Sequence, residues 1–164
     1  MRTLLALWLL FAAPGTVCAD TLHGVVIVVI DGDTVLFKPD HYSPGSRAFL
    51  KVRLADIDAP ETGQPFGEAA TEALKARVLK QRTQLEIVAT DSYGRKVGRI
   101  SVDSQSVNAE MVRRGFAWVS TRGGDRNGML ALQHEARRER VGLWQDAEPT
   151  SPWVWRKAQA ASVP

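Results

Sequence analysis

Five charged side chains stand at turns or strand ends in the first two thirds of the sequence, where they could act together. They are Asp33, Arg53, Asp58, Glu61 and Arg95. Arginine inside an otherwise apolar stretch, as at position 53, is costly unless the charge faces a cleft or a partner. Two of the carboxylates share one tight turn around Ala59 and a proline.

The residue types define a chemistry. Carboxylate oxygens such as those of Asp33 and Asp58 are hard ligands that suit Ca²⁺ or Mg²⁺. The planar guanidinium groups of Arg53 and Arg95 match phosphate oxygens and stay charged at neutral pH. Glu61 then remains to activate a water molecule. Together these groups provide what is needed to hydrolyse a phosphodiester.

Each feature taken alone has an ordinary structural interpretation. The residues 31–34, Asp-Gly-Asp-Thr, are typical of a hairpin turn. Arg53 alone is typical of a structural ion pair. The segment 58–61 resembles a turn that leads into a helix. Arg95, after a glycine, is expected to be solvated when it is considered by itself.

Several other kinds of site are excluded by the sequence. The histidines are scattered, at positions 23, 41 and 134. His134-Glu135 lacks a second histidine four residues on, where Arg138 stands, so the helical zinc-protease motif is absent. A calcium loop that started at Asp31 would require glutamate where Tyr42 stands. There is no Gly-x-Ser-x-Gly motif and no phosphate-binding glycine-rich loop.

The periodicity of apolar residues predicts the strands and helices that position these side chains. β-branched and alternating apolar stretches predict strands over residues 25–30, 34–38, 48–57, 85–89 and 97–102, the first of them buried. Apolar residues at three- and four-residue spacings predict helices over 67–80, 106–114 and 129–140. We therefore expect an α+β, mainly β fold: a five-stranded OB-type antiparallel barrel with three helices.

Composition permits this fold without identifying the function. The 164 residues are 45% hydrophobic and 24% charged, as in a globular domain. The formal net charge of +3 allows a polyanionic partner but does not require one. The domain is expected over residues 20–148, and a Pro- and Trp-containing C-terminal tail over 149–164.

The first 19 residues have the pattern of a secretory signal peptide. A short positive start and an apolar run end in small residues, which predicts cleavage after Ala19 and removal of Cys18, the only cysteine. The expected location is therefore secreted or periplasmic, with no stable membrane association after cleavage. An uncleaved anchor and a lipidated Cys18 are the alternatives.

Four short motifs in order give a resemblance to a known family. DGDT at 31–34, VRL at 52–54, IDAPE at 57–61 and DSYGR at 91–95 resemble the staphylococcal nuclease (thermonuclease) family. Further matches are EAR at 135–137 and GLW at 142–144, so that the resemblance covers residues 23–146. The segment PWVWR at 152–156 is similar to the tail of secreted bacterial members.

The resemblance implies a calcium-dependent nuclease of the same OB-type fold that hydrolyses DNA and RNA. By their positions in the motifs, Asp33, Asp58 and the backbone carbonyl of Ala59 would bind one Ca²⁺. Glu61 would be the general base for the attacking water. Cleavage of the P–O5′ bond would leave 3′-phosphate ends, and the protein is expected to be a monomer.

The same resemblance assigns the arginines and one aromatic residue. Arg53 and Arg95 would hold the scissile phosphate and stabilise the transition state, while Tyr93 would position the neighbouring nucleotide. The founding member of the family has lysine where Ser92 stands and tyrosines where Thr121 and Gly123 stand. Nucleotide affinity and base preference are therefore expected to differ in this chain.

Two other functions remain as alternatives. A catalytically silent OB-type nucleic-acid-binding module would have the same fold, although such domains lose the acids and arginines that this chain retains. A small OB domain for oligosaccharides is the third candidate, and the paired arginines argue against it.

Overall fold

The computed structural model describes residues 20–121 and 127–162. The predicted signal peptide and Gly123 therefore lie outside the described residues. In these ranges the strands are β1 (Asp20–Asp31), β2 (Thr34–Pro39), β3 (Leu50–Leu54), β4 (Ile57–Asp58), β5 (Arg82–Thr90), β6 (Lys96–Val102), β7 (Gln105–Ser106) and β8 (Trp118–Val119). The helices are α1 (Gly67–Val78), α2 (Val107–Arg113), α3 (Asn127–Glu139) and α4 (Pro152–Ala161), with a short 3₁₀ helix at Gly142–Gln145.

Five strands close into a barrel in the order β3-β2-β1-β5-β6, and β6 returns to pair with β3. The predicted five-stranded, mainly β OB-type barrel is confirmed. The expectation that it is antiparallel throughout is wrong at the closing seam, where β3 and β6 pair in parallel with Val52 opposite Lys96. The reason is topological, because strand directions cannot alternate all the way around a ring with an odd number of members.

The barrel interior holds one apolar core, against which α1 packs. Its fully buried members include Val26, Phe37, Val52, Leu85 and Ile100, each from a different barrel strand. Helix α1 adds Ala70, Leu74 and Val78, which follow the helical spacing of its buried face. This core holds the strand ends, and therefore the turns between them, in fixed positions.

The first predicted strand is present, but the expectation that residues 25–30 are buried is wrong for half of them. Val26 is completely buried, whereas Ile27, Val28 and Ile30 are exposed. The register of β1 against β2 shifts between Val26 and Val28, so that the in-and-out alternation is interrupted there. Residues 25–30 are all apolar, so their pattern did not predict this bulge.

The described residues contain one α-helix more than expected. Helices α1, α2 and α3 correspond to the three predicted ones, and α4 lies in the segment that composition identified only as a tail. A serine and a proline begin α4, which fits the preference for proline in the first helical turn. No helix in the described part of the chain is long and apolar enough to span a membrane.

Candidate active site

Arg53 joins two buried carboxylates that come from different turns. It lies opposite Thr34 in the β2–β3 ladder, next to the turn that carries Asp33. Its Nη1 donates to Asp33 Oδ1 at 2.9 Å and its Nη2 donates to Asp58 Oδ1 at 2.8 Å. Burial alone would lower the pKa of Arg53, but the charges of Asp33 and Asp58 outweigh it and raise the pKa above its usual value.

Asp33 sits inside the β1–β2 hairpin turn with its side chain only 5% exposed. Its backbone N–H donates to Asp31 Oδ1, and its own Oδ2 accepts a hydrogen bond from the backbone N–H of Ala59 at 3.0 Å. Burial raises the pKa of Asp33 to about 7, although the positive charge of Arg53 acts in the opposite direction. Because burial disfavours the charged form of Asp33, a further cation that binds next to the carboxylate would stabilise that form.

Glycine at position 32 lets this hairpin tip touch the neighbouring turn. A Cβ there would lie 2.7 Å from the Cβ of Ala59 and 2.8 Å from the Cβ of Ala70. Real Cβ atoms do not approach that closely, so the hairpin could not pack in this way with a larger residue. The Asp-Gly pair that predicted a turn therefore also brings Asp33 against the turn that holds Asp58 and Ala59.

The turn at residues 58–61 is held from three directions. Asp58 pairs with Trp118 in the small β4–β8 sheet. The backbone N–H of Glu61 donates to Gln64 Oε1 at 3.0 Å. Gly67 begins α1 so close by that a Cβ on it would stand 2.0 Å from the Glu61 carbonyl oxygen. The backbone at Glu61 is therefore fixed, while its side chain remains partly exposed.

The loop at residues 91–95 presents Tyr93 and Arg95 from the β5–β6 connection. Asp91 organises it by accepting hydrogen bonds from the backbone N–H groups of Tyr93 and Arg95 and from Arg95 Nε, the last at 2.7 Å. The Tyr93 ring is 84% exposed, and the Arg95 guanidinium lies 5.6 Å from its centre. The loop thus offers one positive charge and one uncovered aromatic face.

One cleft of about 600 Å³ collects all of these groups. It is lined by every residue that the sequence singled out for the site: Asp33, Arg53, Asp58, Ala59, Glu61, Tyr93 and Arg95. Ser92 and Thr121, where the resemblance indicated departures, line the same cleft. The roles given to these residues stay predictions, but their proximity is a structural fact.

A residue that the sequence analysis did not assign to the site also lies in this cleft. Arg156, on α4, donates from Nη2 to Asp58 Oδ2 at 2.7 Å and from Nη1 to Asp58 Oδ1 at 3.1 Å. The same Nη1 donates to Glu61 Oε1. These hydrogen bonds to Asp58, more than any other interaction, raise the pKa of Arg156 above its usual value. The site therefore contains a third arginine.

Helix α4 is anchored beside the cleft by contacts on both sides of its first turn. Gln64, whose Oε1 holds Glu61, donates from Nε2 to the carbonyl of Thr150 at 2.7 Å. Trp153 packs edge-on against Trp118 with ring centres 5.5 Å apart. Ser151 and Pro152 are buried. A signal for this helix was present in the sequence, since a serine-proline start precedes good helix formers.

The oxygen donors fit a hard divalent cation. Asp33 and Asp58 lie on the two ends of one guanidinium group, so a positive charge already bridges them. Among residues 20–121 and 127–162, no three His, Cys, Asp or Glu side chains converge as a metal-binding group. The set that the resemblance implies, two carboxylates and one backbone carbonyl, has only two such side chains, and its metal binding stays a prediction.

Comparison with known proteins gives the same family. A protein of Escherichia coli O157:H7 named "Uncharacterized endonuclease" is 38% identical over 157 residues, which cover 95% of this chain and 98% of that protein. "Protein ParB" of Escherichia coli is 40% identical over 83% of this chain and 80% of its own. "Micrococcal nuclease" of Shigella flexneri is 37% identical over 83% of this chain and 81% of its own.

The family match covers β5, β6 and nearly all of β3, and it begins after β1, β2 and the turn between them that carries Asp33. Residues 51–146 match the family described as "Staphylococcal nuclease homologue". This range contains Arg53, Asp58, Glu61 and Arg95, and the alignment to the Escherichia coli O157:H7 protein extends over nearly the entire sequence. Fold, site and similarity together lead to one conclusion: this chain belongs to the staphylococcal nuclease family.

Proposed function

We propose that this protein is a calcium-dependent endonuclease that hydrolyses the phosphodiester bonds of DNA and RNA. The observation that carries the proposal is the convergence of Asp33, Asp58, Glu61, Arg53 and Arg95 on one cleft. This reaction requires acidic residues that bind a cation, a carboxylate that activates a water molecule, and guanidinium groups that bind the phosphate. The names of relatives, endonuclease and micrococcal nuclease, support the same activity.

Glu61 is the proposed general base. It would take a proton from a water molecule, whose oxygen forms a bond to phosphorus as the bond from phosphorus to the 5′-oxygen breaks. The leaving 5′-oxygen then takes up a proton from solvent. The products are a 3′-phosphate end and a 5′-hydroxyl end. A base at this position is worth about 10²–10⁴-fold in rate.

The arginines would stabilise the charge that develops on the phosphoryl oxygens. Arg53 is held by two carboxylates and Arg95 by Asp91, so both guanidinium groups are oriented before a substrate arrives. Preoriented donors act most strongly where charge increases between substrate and transition state. Both groups belong to the chemical step in this proposal.

The proposed metal ligands are Asp33, Asp58 and the carbonyl of Ala59. A divalent ion bound there would supply Lewis-acid stabilisation of the phosphoryl group. The fit rests on donor chemistry, since all three ligands are hard oxygens. Ala59 is adjacent to Asp33 in space through its backbone hydrogen bond to Oδ2.

The recognition groups explain why both nucleic acids are proposed as substrates. The charged groups of the cleft would contact the phosphate, which DNA and RNA have in common. The exposed Tyr93 ring can stack on any base, because every base has a π-face. None of these contacts depends on the 2′-hydroxyl, by which proteins distinguish RNA from DNA.

The remaining parts of the proposal concern the location of the protein and its oligomeric state. We propose cleavage after Ala19, a secreted or periplasmic mature protein, and a monomer. Mass spectrometry of the exported protein would identify the cleavage site and any lipid on Cys18. Light scattering would give the mass in solution.

Digestion of DNA and RNA by the purified protein tests the activity. We expect cleavage of both polymers with Ca²⁺ and none with a chelator. The new 5′ ends should accept phosphate from polynucleotide kinase without prior phosphatase treatment, because they are hydroxyls. Binding without cleavage would indicate the silent binding module instead. Full activity in the chelator would contradict the metal assignment.

A further inference from the structure

We propose that Arg156 sets the metal affinity of the site: its guanidinium holds Asp58 and Glu61, and a divalent ion competes with it for the oxygens of Asp58. This inference rests on the proposed function, because it takes Asp58 as a metal ligand. Arg156 acts through these carboxylates and is a positioning residue in this account.

The contacts of Asp58 carry the argument. Its Oδ1 accepts hydrogen bonds from Arg53 and Arg156, and its Oδ2 accepts one from Arg156. Both oxygens of a proposed metal ligand are therefore occupied by cationic donors. A metal ion and an N–H donor compete for the lone pairs of a carboxylate, so these contacts weaken the hold of Asp58 on a metal ion.

The charges of the cluster lead to the same conclusion. Asp33, Asp58 and Glu61 pair with Arg53 and Arg156, and the carboxylate of Asp31 lines the same cleft, so the acids outnumber these two arginines. If Arg156 leaves, the cluster loses one positive charge, which a divalent ion can replace. Two cations beside the same carboxylate repel each other, so Arg156 and the ion compete electrostatically as well as sterically.

The position of Arg156 is built into the fold and does not come from a free side chain on a loose tail. Gln64 connects the backbone of Glu61 with Thr150, directly before α4. Trp153, one turn before Arg156, packs on Trp118, whose strand pairs with Asp58. The Arg156 side chain is nevertheless 44% exposed, so it can rotate away from Asp58 without unfolding the helix.

The same displacement would free Glu61. Arg156 donates to Glu61 Oε1 and occupies that oxygen. While Oε1 accepts from the guanidinium group, it is not available to accept a hydrogen bond from a water molecule. Loss of Arg156 from Asp58 on metal binding would therefore couple occupancy of the metal site with exposure of the base.

Calorimetric titration of Ca²⁺ into the purified protein tests the inference without measuring catalysis. The variants are Arg156→Gln, which removes the competitor, and Arg156→Lys, which keeps a charge but cannot form the fork. Lys157→Gln is the matched control, because it removes the same charge from the next, exposed residue of α4. Thermal unfolding with and without Ca²⁺ is measured for each variant.

We expect Arg156→Gln to lower the Kd for Ca²⁺ by about tenfold, since a two-pronged charge-assisted contact no longer has to be broken. Arg156→Lys should fall between this variant and the wild type, and Lys157→Gln should match the wild type. The rise in Tm that Ca²⁺ produces should be larger in Arg156→Gln.

An unchanged or higher Kd in Arg156→Gln would overturn the inference and leave the proposed function intact. A lower Tm by the same amount with and without Ca²⁺ would likewise reduce Arg156 to a structural ion pair. Unchanged Ca²⁺ affinity with an increased KM for DNA would make Arg156 a substrate contact, which also overturns it. Failure of every variant and the wild type to bind Ca²⁺ would refute the metal assignment and this inference together.

Discussion

The backbone N–H of Ala59 donates to Oδ2 of Asp33, so the hairpin between β1 and β2 and the turn after β4 meet through a hydrogen bond at the centre of the site. The other oxygen of Asp33 accepts from Arg53 and Thr34. The position of this carboxylate is therefore set by two strands, β2 and β3, and by the turn after β4. Changes in any of them are expected to move Asp33, one of the proposed metal ligands.

Replacement of Glu61 by glutamine should abolish most turnover and leave the fold intact. Glutamine has the same shape and can still accept from Arg156, but it cannot take a proton from water. We expect kcat to fall by about 10²–10⁴-fold, with an unchanged circular dichroism spectrum. Glu139→Gln on the exposed end of α3 is the control. Activity close to that of the wild type would show that Glu61 is not the base.

Arg53→Ala and Arg95→Ala should each lower kcat more than they raise KM. Donors aimed at transition-state charge contribute about 10²–10³-fold. Steady-state kinetics on a defined DNA substrate separates the two parameters. Arg138→Ala, an exposed charge loss on α3, controls for the general attraction of the polymer. A variant in which only KM changes would place that arginine in substrate binding.

Of these two variants, Arg53→Ala should also destabilise the metal-free protein. Its removal leaves Asp33 and Asp58 buried without the guanidinium that joins them. Breaking a buried pair in this way costs about 3–5 kcal/mol. Arg95→Ala should have a smaller effect, because its partner Asp91 is closer to solvent. Urea denaturation in a chelator compares the two, and equal losses would contradict this ranking.

The buried carboxyl of Asp33 should make the stability of the metal-free protein depend on pH. Its pKa is about 7 in the fold, against about 3.9 in an unfolded chain. The folded state therefore binds more protons between these values, so the stabilising contribution is complete below about pH 4 and is lost as the pH rises through about 7.

Comparison with Asp33→Asn isolates this contribution, since the other titrating groups are common to both proteins. We expect the free energy of unfolding of the wild type, relative to that of the variant, to fall from about pH 4 to about pH 7 and then to level off. Urea denaturation over this range in a chelator measures the difference. A difference that does not change with pH would contradict the raised pKa.

Thr121→Tyr should tighten nucleotide binding with little change in kcat. Thr121 lines the cleft but has no ring to stack on a base. Base–aromatic stacking contributes about 1–3 kcal/mol. Calorimetry with a 3′,5′-nucleoside bisphosphate and Ca²⁺ measures the gain, and Gln105→Tyr, on exposed β7, is the control. Equal affinities would mean that another residue, such as Tyr93, already fills this subsite.

The sequence predicted the local parts of the site because each has a local cause. The Asp-Gly pair forms the turn that holds Asp33, and the alternation around Arg53 forms the strand opposite it. The glycine of the 91–95 loop has a positive φ of 77°, which suits the tight return that Asp91 organises. In each case a few adjacent residues decide the geometry.

The parts that sequence reasoning missed depend on partners far along the chain. Arg156 contacts Asp58 because α4 is held beside the cleft, where Trp153 packs on Trp118 and Gln64 donates to the carbonyl of Thr150. The residue pattern within α4 does not predict those contacts. The parallel closure of β3 on β6 follows from counting strands in a ring, which no single strand reveals. The bulge in β1 is likewise absent from the apolar pattern.

The large sequence separations between the residues of the site have a consequence for the order of folding. The hydrogen bonds of the site connect residues separated by 20, 26 and 98 positions, from Arg53 to Asp33, from Ala59 to Asp33 and from Arg156 to Asp58. Each requires a loop to close, and loop closure costs conformational entropy that local contacts do not. A chain that is still unfolded, or only partly folded, therefore has no assembled cleft, and its hydrolytic groups remain apart until the barrel and α4 have come together.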